Sequence, residues 1–286
     1  MHPSLRKYLA EGELAASRYT LGVPRQAPVG LAGTAMGHRA GSSLEFRDHR
    51  SYEPGDDLRH IDWSAFGRTD QLTVKLYREE VTPHLDIIVD GSRSMNLEGT
   101  KKAEAAVALC AFFATAASRA GYSHSLWMLA DRCQPVANGN RLPGLWEGLT
   151  FDHRGAPTNQ LPLLRPRATR ILISDLLWLG EPLLVTRPLG ERAAVALVIQ
   201  LLAHDDVNPP EGRSVRLVDS ETDEVREIYV DAIAARRYRD AMARHQESWD
   251  LASRQAGVTF LTLTAETLLA QWNLDALVAN EVLRVR

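Results

Sequence analysis

Asp90, Ser92 and Ser94 stand at alternate positions in the stretch DIIVDGSRSM, directly after the apolar run Ile87-Ile88-Val89. The run reads as a buried strand, and the side chains that follow it all end in oxygen. Such oxygens can cap a helix start by accepting from its free N–H groups. They can also gather around a hard divalent cation, which prefers carboxylate, hydroxyl and water oxygens. Partners from elsewhere in the chain decide between the two.

A second apolar run, TRILISD over Thr169–Asp175, repeats the grammar and ends in Ser-Asp. Just upstream, GAPTN (Gly155–Asn159) supplies the hydroxyl of Thr158. An open parallel sheet binds ligands beyond the carboxyl ends of its strands, where the strand order reverses. If the strands ending at Asp90 and at Asp175 are neighbours there, Asp90, Ser92, Ser94, Thr158 and Asp175 form one all-oxygen set without His or Cys. That set suits Mg²⁺ or a similar divalent cation. It leaves the ion short of anionic ligands and open to a carboxylate from a partner. This is binding chemistry, since catalysis needs a further nucleophile or base that the stretch does not offer.

The alternative is a phosphate-ester hydrolase or phosphotransferase that uses Asp90 as nucleophile with Mg²⁺. A haloacid-dehalogenase-type site calls for a second Asp two residues on, where Ser92 stands. A serine hydrolase fits less well, because DGSRS is not a Gly-x-Ser-x-Gly elbow.

The elements that must position these residues follow from periodicity. From about Gly99 the chain alternates between helix and strand, which predicts an α/β fold with a mainly parallel sheet and helices on both faces. Residues 85–90 predict a strand. TKKAEAAVALCAFFATAASRAG predicts a helix capped by Thr100 and stopped by Gly121. Further strands are expected at SHSLWMLA, Arg132–Val136, Thr169–Asp175, Ala193–Leu202 and VTFLTL. Short helices are expected around Pro143–Leu149 and from near Thr158. The runs flanking Asp219–Asp223 predict a β-hairpin, around residues 213–230, built onto the sheet's edge or end. A long helix from Asp231 to Ala256 carries the stripe Tyr238, Met242, His245, Trp249 and Ala252 toward the core, and Ala265–Asn280 predicts a last helix. Residues 1–83 are expected to form a β-rich lead-in packed on a body of residues 84–286.

Composition narrows the function. A net charge of -3 in 286 residues argues against a dedicated nucleic-acid binder, which needs a basic field. The most apolar helical stretch, AVALCAFFATAA, is too short to span a bilayer, and the opening residues lack the apolar core of a signal peptide. Cys110 and Cys133 have no metal-type spacing and are expected to be reduced. The cytoplasm is the expected location.

The order DGSRS…T…SD resembles the metal-ion-dependent adhesion site of the von Willebrand factor A fold. Upstream, Glu45-Phe46, Arg50 to Asp57, Ile61-Asp62-Trp63 and Arg68-Thr69 resemble the signature of the bacterial family catalogued as domain of unknown function 58. RLVDSETDEV (Arg216–Val225) is similar to a downstream segment of the same family. The resemblance implies a von Willebrand factor A-like domain working with a MoxR-type AAA+ ATPase in chaperone-like assembly or maturation of a client. It implies a protein partner that presents a carboxylate, from the ATPase or the client, to the ion. GAPTN departs from the Gly-Gly-Thr-Asp more usual in the family. The block PGDDLRHIDW is expected to be a turn and salt-bridge network. Asp56, Asp57, Arg59 and Arg68 could alternatively form a partner-docking surface.

Overall fold

A computed structural model describes residues 3–22, 44–79, 83–155, 160–178, 180–219 and 224–285. Contacts divide the chain into two compact units, residues 1–23 with 83–286 and residues 24–82.

The larger unit opens with helix α1 (Pro3–Ala15) and strand β1 (Tyr19–Leu21). The smaller unit holds an antiparallel pair, β2 (Leu44–Ser51) and β3 (Thr73–Glu79), with a register shift between Phe46 and Asp48. Helix α2 (Trp63–Thr69) lies between them in sequence. Asp62 caps it by accepting from the N–H groups of Ser64 and Ala65, and also accepts from His49 Nε2 at 2.7 Å. The His49 bond first, and then these N–H groups, hold the Asp62 carboxyl at about 2.

The larger unit resumes with β4 (His84–Asp90), α3 (Lys102–Arg119), β5 (Ser123–Leu129), β6 (Cys133–Pro135), β7 (Thr169–Ser174), α4 (Pro182–Gly190) and β8 (Val195–Leu202). After these come α5 (His204–Val207), β9 (Arg213–Val218), β10 (Val225–Val230), α6 (Ala232–Gln255), β11 (Thr259–Thr264), α7 (Ala265–Gln271), α8 (Asp275–Ala279) and β12 (Leu283–Val285). Six strands form one sheet in the order β11-β8-β7-β4-β5-β6, parallel throughout except for β6. In chain order this is a doubly wound sheet, and its order reverses between β4 and β7. Every residue of β4 and of β7 is buried, as expected where both sheet faces are covered.

Ile87, Val89, Ile171 and Ile173 join one core with α1, α3, α7 and α8, while Ile88, Leu172, Val198 and Trp249 join the other with α4 and α6. The alternation along β4 therefore sends Asp86, Ile88 and Asp90 to the α4/α6 face. Gly12 lets α1 approach α3 closely, because a Cβ there would stand 2.1 Å from the Ala108 carbonyl oxygen.

Several local expectations are corrected. Thr100 does not cap α3; its hydroxyl donates to the Leu97 carbonyl, and the cap position belongs to Lys101. Gly121 does end that helix, in the left-handed region at φ 78°. Pro143–Leu149 yields only a 3-10 turn at Pro143–Leu145, because Gly144 and Gly148 disfavour a longer helix. No helix forms over 160–168, and Thr158 itself lies outside the described residues. The hairpin β9-β10 is a separate two-stranded sheet, not an extension of the main one. The last helix is split into α7 and α8 at Trp272, which takes φ 49°.

Candidate functional site

The site is built where β4 and β7 end side by side. Val89 pairs with Ile173, so Asp90 and the Ser174-Asp175 pair leave the sheet next to each other. Gly91 turns the chain out of β4 against β5, donating its N–H to the Leu129 carbonyl. A Cβ at Gly91 would come within 2.6 Å of Met128 Sδ, so a larger residue here would have to displace that side chain. Across the loop, Arg93 N donates to the His153 carbonyl and His153 N to the Gly91 carbonyl, fixing the Ser92 backbone.

Asp90 is fully buried, and both its oxygens are engaged. Oδ1 accepts from Ser92 N at 2.8 Å, and Oδ2 accepts from Ser174 Oγ at 2.6 Å. Burial, and then the charge of Asp175, push its carboxyl up to about 6 against the opposing pull of these hydrogen bonds. Ser92 Oγ and Ser94 Oγ lie 2.9 Å apart.

Asp175 carries a partner that the sequence reading does not include. Lys102 Nζ, from the first turn of α3, donates to Asp175 Oδ2 at 2.8 Å and lies 3.3 Å from Asp206 Oδ2. Burial pushes the Lys102 ammonium down, and Asp175 and Asp206 more than offset it, leaving it above its ordinary value. Asp175 Oδ1 accepts from Leu177 N, and Asp206 Oδ2 from Ala203 N. Between these bonds Leu176 is buried with φ 58°, an uncommon conformation for a branched side chain. It is held there by Ser174 Oγ on its N–H and His245 Nε2 on its carbonyl.

Asp90, Ser92, Ser94 and Asp175 thus sit at two adjoining strand ends. Lys102, Ser174 and Asp206 complete the cluster. Their only sequence signals were a lysine at a helix start, the Ser of Ser-Asp, and an Asp within HDDV. Among the described residues no three His, Cys, Asp or Glu side chains converge as a metal site, so an ion here would depend on hydroxyls.

The donor set is all hard oxygen, the chemistry such an ion takes. The Ser92 and Ser94 hydroxyls hydrogen-bond each other at 2.9 Å, an ordinary distance for two hydroxyls. The charge balance does not itself call for an ion, because the Lys102 ammonium already pairs with Asp175 and Asp206.

The residues of the alternative docking surface have local partners. Asp56 accepts from Arg50 Nη2 and Glu53 N, Asp57 from Arg59 N, Nε and Nη2, and Arg68 Nε donates to the Ser64 carbonyl.

The family described as "Protein of unknown function DUF58" matches residues 48–143. The family match takes in Arg50 to Asp57, Ile61-Asp62-Trp63 and Arg68-Thr69 of the signature, and not Glu45-Phe46 or Arg216–Val225. Uncharacterized protein Rv1480 of Mycobacterium tuberculosis (strain ATCC 25618 / H37Rv) is 29% identical over 297 residues, covering 93% of this chain and 90% of that protein. Uncharacterized protein Mb1516 of Mycobacterium bovis is similar to the same extent. Among solved structures, BatB from Bacteroides thetaiotaomicron aligns at a TM-score of 0.36 and 10% identity, over 70% of this chain and 98% of that one. An aerotolerance-related membrane protein from Bacteroides fragilis aligns at 0.35 and 11%, over 66% and 95%. No described helix is long and apolar enough to cross a membrane. The chain is thus similar to the DUF58 family over residues 48–143, which lead into and build the β4 strand end, and to uncharacterized mycobacterial proteins over most of its length.

Proposed function

We propose that the chain is a non-enzymatic, metal-dependent protein-interaction module with a von Willebrand factor A-like site. The observation that supports the reading is the gathering of Asp90, Ser92, Ser94 and Asp175 at adjoining strand ends, at the switch point of the sheet. Ser92, Ser94 and Asp90 would hold the divalent ion, with Asp175 contributing charge from the adjoining strand and Thr158 a further hydroxyl. The bound ion would supply a Lewis-acidic position open to an incoming carboxylate. Ser174 and Ser92 N hold Asp90 in place, and Lys102 holds Asp175.

The partner is a protein that presents an Asp or Glu, and the family resemblance points to a MoxR-type AAA+ ATPase or its client, in the cytoplasm. Pull-down of the ATPase with the intact chain, with Asp90→Ala and in EDTA tests this. Capture lost in both treatments supports the reading, and capture unchanged in both refutes it. The phosphotransfer alternative still lacks a second Asp two residues after Asp90, where Ser92 stands.

A further inference from the structure

Lys102 is a buried cation whose place the helix itself does not explain. It stands in the first turn of α3, where a cation opposes the helix dipole, and it is 1% exposed. Its Nζ donates to Asp175 Oδ2 at 2.8 Å and lies 3.3 Å from Asp206 Oδ2. Asp175 follows β7 at the switch point of the sheet, beside Asp90, whereas Asp206 belongs to α5, beyond the end of β8.

An ion held by Asp90, Ser92 and Ser94 that draws on Asp175 meets an ammonium already bonded to it. Two cations that share one carboxylate repel each other, and burial strengthens the repulsion. Asp206 is what makes the contest reversible. Ala203 N donates to its Oδ2 and the Tyr238 hydroxyl to its main-chain carbonyl, so α5 holds this carboxylate beside Nζ. The ammonium therefore has a second anion outside the ion site. Yielding Asp175 does not leave it a lone buried charge, which would be strongly unfavourable.

We propose that Lys102 is a built-in competitor of the divalent ion: its ammonium occupies Asp175 in the ion-free chain, and Asp206 keeps it paired when an ion draws on Asp175. The proposal rests on the metal reading of the Asp90 cluster and adds what regulates that site. Lys102 acts through Asp175, as a positioning residue, since it is buried away from any incoming partner. It lowers the affinity of the site and leaves the ion under-neutralised, which favours a carboxylate from outside.

The test is calorimetric titration of the EDTA-stripped full chain with MgCl₂. Lys102→Met is expected to bind Mg²⁺ roughly tenfold tighter than the wild type, a gain that loss of a merely structural bridge would not produce. That variant leaves two carboxylates without their cation and could fail to fold. The double variant Lys102→Met, Asp206→Asn has the formal charge of the wild type and leaves only Asp175 unpaired. It should also bind roughly tenfold tighter, so that the gain comes from freeing Asp175 and not from net charge. An affinity equal to or weaker than that of a Mg²⁺-binding wild type, in either folded variant, overturns the proposal and leaves the metal reading standing. Binding in the double variant with none in the wild type supports the ammonium as competitor and overturns the metal reading for the native chain. No binding in any of the three overturns both.

Discussion

Lys102 Nζ lies 2.8 Å from Asp175 Oδ2, and both side chains are only 1% exposed. The ammonium ties the start of α3 to the end of β7 and, through Asp206, to α5. Removing one member of a buried ion pair leaves the other uncompensated and costs about 3–5 kcal/mol. Lys102→Met should therefore lower stability in urea by that amount in EDTA. Saturating Mg²⁺ should restore part of the loss, because a divalent ion can take over the neutralisation. A variant as stable as the wild type would show that the pair contributes little.

Asp90 sets a pH dependence of unusual sign. The folded chain binds its proton near pH 6, the unfolded chain near the ordinary 3.8. Between these values the folded state holds more protons, so stability falls as pH rises through the window. The full cost, about 3 kcal/mol, is present above pH 6. In EDTA, wild type should thus lose about 3 kcal/mol relative to Asp90→Asn between pH 3 and pH 7. Denaturant melts across this range check it. A stability difference that does not change with pH would contradict the assignment.

Gly12→Ala tests whether α1 is an integral part of the larger unit. The added Cβ would stand 2.1 Å from the Ala108 backbone oxygen, which cannot rotate away. Overpacking of this kind costs about 1–3 kcal/mol. The expected outcome is a lower midpoint with one cooperative transition. Loss of α1 helicity alone, with the rest of the unit unchanged, would mean that α1 docks independently.

Much of this arrangement was legible in the sequence, because uniformly apolar runs bounded by Ser and Asp mark buried parallel strands and their ends. Ile87–Val89 and Ile171–Ile173 are of that kind, and they place the Asp90 and Asp175 strands in the α/β body. The neighbour relation between them was only an inference from topology, and the register of β4 with β7 supplies it. Lys102 was not legible. It stands beside Lys101 in TKKAEA, and α3 is apolar almost all round, so its period does not say which lysine turns inward. The one hint is Glu104, three residues after Lys101, which pairs with that lysine at the surface and leaves Lys102 on the row of Ala106 and Leu109. The hairpin was legible as a hairpin but not in its placement, since alternating strands reveal a turn without revealing what they pack on.

Calorimetric titration of the EDTA-stripped full chain with MgCl₂, beside the double variant Ser92→Ala, Ser94→Ala, tests the hydroxyl-built cation site most directly. The account predicts one saturable site in the wild type and at least tenfold weaker binding in the folded double variant. Binding of equal strength in both, or no binding in the wild type at millimolar Mg²⁺, would contradict it.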